Sequence, residues 1–61
     1  MTYQVITTAQ NTGLDSAVFA TLEEAERAMA TAKKVVEGEF LVVHTDKEAT
    51  TTFEEWNNTG W

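Results

Sequence analysis

Few residues in this chain could carry chemistry, and their spacing argues against most reactions. His44 is the only histidine, and a catalytic or metal role would need partners such as Asp46 or Glu55. Ser16 is the only serine, and no nucleophile-elbow pattern surrounds it. Asp46-Lys47-Glu48 lacks the spacing and the glycine of a calcium loop. Gly13, Gly38 and Gly60 are isolated, so no glycine-rich loop is present to cradle phosphate. Without cysteine there is neither a disulfide framework nor a thiolate metal site. Glu54 and Glu55 are adjacent; on a strand they point to opposite faces and cannot cooperate as acid and base. Asn57-Asn58-Thr59 matches a glycosylation acceptor only formally, since no secretory signal leads the chain. The residues point to a non-enzymatic protein with no cofactor and no metal.

Binding chemistry is better represented. The net charge is −6, and only Arg27, Lys33, Lys34 and Lys47 are basic, so direct binding of nucleic acid is not expected. The acids are unevenly placed. Residues 22–37 are nearly balanced, whereas Glu39, Asp46, Glu48, Glu54 and Glu55 face Lys47 alone in residues 39–61. Phe53, Trp56 and Trp61 share that acidic third, and tryptophan is prominent in binding hot spots. No apolar run approaches a membrane span. The absence of cysteine and of a visible signal peptide favours a cytoplasmic setting.

Sixty-one residues form one domain, 1–61, close to the lower limit for a self-sufficient core. The segment 21–43 organises it. Thr21 can cap a helix, with Glu24 reaching back to the cap N–H. Leu22, Ala25, Met29, Ala32 and Val36 follow at helical spacing, and Gly38 is placed to end the helix in a left-handed cap. Phe40-Leu41-Val42-Val43 then reads as a strand covered on both faces.

Ahead of the helix, residues 1–8 alternate, with Tyr3 and Val5 on the core face and Ile6 on the open one. Asn11-Thr12-Gly13 supplies turn residues. Residues 16–20 read as a second strand, with Val18 opposite in sense to Ala17 and Phe19. Residues 50–54 read as a fourth strand because of three threonines and Phe53. A short helix is the rival there, since Thr52 and Glu55 form a capping box and Phe53 and Trp56 share a helical face.

The expected fold is therefore α+β: a single small ββαββ domain, a four-stranded sheet with one helix packed on one face. That order resembles the small immunoglobulin-binding domains of streptococcal surface proteins, with echoes in MTYQVI, ATAKKVV, GEF and ATTTF. The resemblance implies the fold class only, since no contiguous antibody-binding motif matches. VFATLEEAERAMATAK followed by an apolar strand is similar in pattern to small phage proteins that seize host enzymes.

The functional expectation is a small acidic protein-binding module, of the kind phages or mobile elements use to modulate a host protein. Its partner would be another protein with a basic patch. The expected contact residues are Ile6, Val18, Leu41, Val43, Glu54, Glu55, Trp56 and Trp61. Two alternatives stand beside it: a homodimer formed through the open sheet face or a strand edge, and a DNA mimic that inhibits a basic protein. Which face of Phe40–Val43 is open decides where a partner could sit.

Overall fold

The computed structural model describes residues 1–59. Strand β1 (Thr2–Thr7) is followed by a 3-10 turn (Leu14–Ser16), helix α1 (Leu22–Val35), strand β2 (Phe40–Thr45) and helix α2 (Phe53–Thr59). The two strands pair antiparallel, from Thr2 opposite Thr45 to Thr7 opposite Phe40. The class is α+β, but the four-stranded ββαββ sheet does not form. Two strands and two helices stand in its place.

Both missing strands fail for local reasons. Ser16 is drawn into the 3-10 turn, and Thr21 already serves as the cap of α1. Between them only Phe19 pairs with β1. It donates its N–H to Tyr3 O at 2.8 Å and accepts from Tyr3 N at 2.9 Å, a single bridge. Residues 50–51 have no regular structure, and Thr50 and Thr51 both donate to one carbonyl, that of Val18, at 3.0 and 3.2 Å. A carbonyl shared by consecutive N–H groups is not a ladder. Thr52 then turns the chain into α2, its hydroxyl accepting from Glu55 N at 3.1 Å. The capping-box alternative prevails over threonine's preference for strands.

Helix α1 starts as expected, with Thr21 Oγ1 accepting from Glu24 N at 3.2 Å. The Glu24 side chain does not complete the box. Its Oε2 accepts from Phe53 N at 3.3 Å and so caps the other helix. The helix buries Ala25, Ala28 and Ala32, with Met29 and Val36 partly covered, while Leu22 stays exposed. This small-residue stripe lets the helix lie close to Val5, Phe19, Leu14 and Ala17, which complete the core with Trp56.

Gly38 is not the left-handed cap. The helix ends at Val35, and Val36 is already extended. Gly38 has φ 155°, and a Cβ there would lie 3.0 Å from both Cβ and N of Ala9 and 3.2 Å from Thr8 Oγ1. The glycine permits close passage of two backbones beside the bond from Thr8 N to Glu39 O (3.1 Å). Gly38→Ala is expected to cost about 1–3 kcal/mol through this overlap and its backbone strain. Thermal unfolding reads it as a midpoint lower by roughly 4–8 °C per kcal/mol.

Candidate functional site

The strand register decides which side chains share a face. Opposed residues of an antiparallel pair point the same way. Val5 is buried, and Phe40 and Val42 pack against the core with Tyr3, so this side carries α1. The other side therefore presents Thr2, Gln4 and Ile6 from β1 and Leu41, Val43 and Thr45 from β2. Ile6 and Leu41 lie directly across from each other and are 57% and 61% exposed. Val43, across from Gln4, is half-buried. Four consecutive apolar residues thus divide between a helix-covered pair and an outward pair.

At one end of this face lies a shallow cavity of about 170 Å³, lined by Ile6, Thr7, Thr8, Glu39, Phe40 and Leu41. Its walls are mainly apolar, and Glu39 supplies an acid at the rim. The cavity is large enough for one aliphatic or aromatic side chain and too small for an enclosed substrate.

The structure brings Ile6, Leu41 and Val43 together and places Val18, Glu54, Glu55 and Trp56 elsewhere. Val18 is buried, 5% exposed, and so is not on the open face. It would have faced outward only as part of a regular second strand. Trp56 is 1% exposed, and its indole Nε1 donates to Thr12 O at 2.7 Å. It completes the core and fastens α2 to the loop before the 3-10 turn. Glu54 and Glu55 are exposed on α2, not on a strand, and neither lines the cavity beside Ile6 and Leu41. Trp61 lies outside the described residues.

A second hollow, of about 470 Å³, is lined by Glu24, Arg27, Thr52, Phe53 and Glu54. The sequence reading saw only a nearly balanced helix and missed this grouping across two. The Arg27 guanidinium stands over the Phe53 ring, 4.7 Å from its centroid. Glu24 holds the Phe53 N–H. Both charged groups therefore tie α1 to α2. The i,i+3 spacing of Glu24 and Arg27 was the available signal, but their target lies 29 residues away from Glu24.

His44 is exposed, its ring edge-on to Tyr3 at 4.9 Å between centroids. Among the described residues, no group of three or more His, Cys, Asp or Glu side chains could hold a metal ion. No helix among them is long and apolar enough to cross a membrane. Compared with known proteins, the chain matches no family model, no curated protein and no solved structure.

Proposed function

We propose that this chain is a non-enzymatic protein-binding module that docks through the open face of its sheet. One observation carries the reading: Ile6 and Leu41 form an outward cross-strand pair next to an apolar cavity. Large aliphatic side chains set opposite one another on an unshielded face cost solubility and gain only a cross-strand contact inside the monomer. A partner's apolar side chain entering the cavity would cover both. Glu39 at the rim and a net charge of −6 favour a partner whose own rim is basic. In this reading the chain acts in the cytoplasm, as a phage or mobile-element accessory protein that modulates a host protein.

The test compares capture from bacterial lysate at low salt by the native chain and by Leu41→Glu. Leu41 is exposed, so folding should tolerate the change. A specific partner should be retained by the native chain, be lost with Leu41→Glu, and rebind in purified form with affinity that falls as salt rises. The expected loss in affinity is at least about tenfold, the scale of a disrupted apolar anchor. Recovery of nothing at high loading, or equal recovery by both chains, overturns the reading.

A further inference from the structure

The hydrogen-bonding direction of each strand residue follows from one bridge. Tyr3 spends both its N–H and its C=O on Phe19. Alternation along the strand then turns the backbone groups of Thr2, Gln4 and Ile6 towards β2, where they meet Thr45, Val43 and Leu41. The bond from Thr8 N to Glu39 O continues this series. The backbone groups of Phe40, Val42 and His44 consequently point away from β1. Among the described residues, no inter-element backbone bond reaches them. Phe19 pairs with the outer side of β1 at Tyr3 alone, and the outer edge of β2 makes no backbone bond to another element among the described residues.

That edge lacks the usual protection. Phe40–Thr45 contains no Lys, Arg, Asp, Glu, Pro or Gly. Native edge strands commonly carry charge, proline or a bulge to prevent pairing. We infer that β2 pairs antiparallel with β2 of a second copy, about a two-fold axis at Val42. In this register Val42 faces Val42 of the second copy, and Phe40 faces His44. Every outward N–H and C=O of the strand then has a partner.

The side chains agree with this register. Leu41 falls opposite Val43 of the second copy on the open face, in the close non-hydrogen-bonded kind of pair. The apolar residues Ile6, Leu41 and Val43 of both copies form one continuous patch. Continuing the register beyond the strand, Glu39 lies diagonal to Lys47 of the second copy, and Asp46 falls opposite Gly38. No like charges stand directly across the join. The result is a four-stranded sheet assembled from two chains.

This inference concerns the edge of the sheet and goes beyond the reading of its face. Purified chain alone tests it, so a failed lysate capture does not bear on it, and a monomeric result leaves the face reading standing. Sedimentation equilibrium of the native chain should show a monomer–dimer equilibrium by about 100 µM, the range of weak edge pairing. A synthetic chain with an N-methyl group on the Val42 amide keeps every side chain and the β1–β2 ladder. It should weaken the dimer at least about tenfold by removing the donors at the two-fold axis. A native chain that stays monomeric, or a dimer indifferent to the N-methyl group, overturns the inference.

Mixing Leu41→Cys and Val43→Cys chains under mild oxidation checks the register independently. Cα atoms of such a pair stand about 4.5 Å apart, within disulfide reach. The mixed disulfide should exceed the roughly twofold excess over each homodimer that random pairing alone would give. Yields at or below the statistical proportion of mixed product overturn the register.

Discussion

Trp56→Ala is expected to be the most destabilising single substitution in the chain. Among the described residues Trp56 is the largest fully buried side chain, and it joins α2 to the core. Deleting a buried tryptophan to alanine costs about 3–5 kcal/mol. A domain of this size has a total stability of roughly 3–9 kcal/mol by per-residue scaling. The substitution therefore removes between about a third and all of what holds the fold. Trp56→Phe separates volume from hydrogen bonding. It keeps an aromatic ring near Phe53, whose centroid lies 5.9 Å from that of Trp56. It leaves Thr12 O without the donor now at 2.7 Å, in a loop where Thr12 itself is 2% exposed. The expected cost is about 1–3 kcal/mol. Urea unfolding followed by far-ultraviolet circular dichroism ranks the three chains. A Trp56→Ala chain with the native midpoint would show that α2 is not part of the core.

Val18→Asp should be nearly as damaging, and Ile6→Asp should not. Val18 is 5% exposed, with its carbonyl serving Thr50 and Thr51, whereas Ile6 is 57% exposed on the open face. A carboxylate at position 18 would lose most of its water, at a cost of about 3 kcal/mol or more. At position 6 it loses only the cross-strand contact with Leu41 and some strand preference, about 0.5–1 kcal/mol. A complete four-stranded sheet would put both residues on one open face and make the costs alike. The gap between their urea midpoints tests the observed fold against that alternative.

The parts legible in sequence were those governed by neighbours. Thr21 capping α1, the alternation that buries Val5 and exposes Ile6, and the apolar run of β2 all rest on spacing within one element. Residues 16–20 and 50–54 were misread because their strand signals are short and compete with caps. The three threonines at 50–52 favour a strand by propensity, yet Thr52 gains more by capping α2. Once Phe53 and Trp56 lie on one helix, both can turn inward, and Trp56 is withdrawn from the surface. Its acceptor, Thr12 O, lies 44 residues away, and no local pattern points to it. On the sheet, the outward turn of Ile6 was legible from alternation, but the unbroken apolar run 40–43 left its open face undecided, and only the register with β1 turns Leu41 and Val43 outward. Glu54 and Glu55 were assigned to a strand that is a helix.

The Trp56–Thr12 bond and the pairing of Thr2 with Thr45 also shape how the chain finds its fold. Each closes a loop of more than 40 residues. The conformational entropy of such closures is lost before the contacts repay it, so β1 cannot be held in place early. Helix α1 is the one long element whose bonds are local, and it spans much of the gap between the two strands. Until the helix has brought β2 back beside β1, the apolar strand Phe40–Thr45 has both edges free. The slow step of folding is thus also the interval of greatest risk of aggregation.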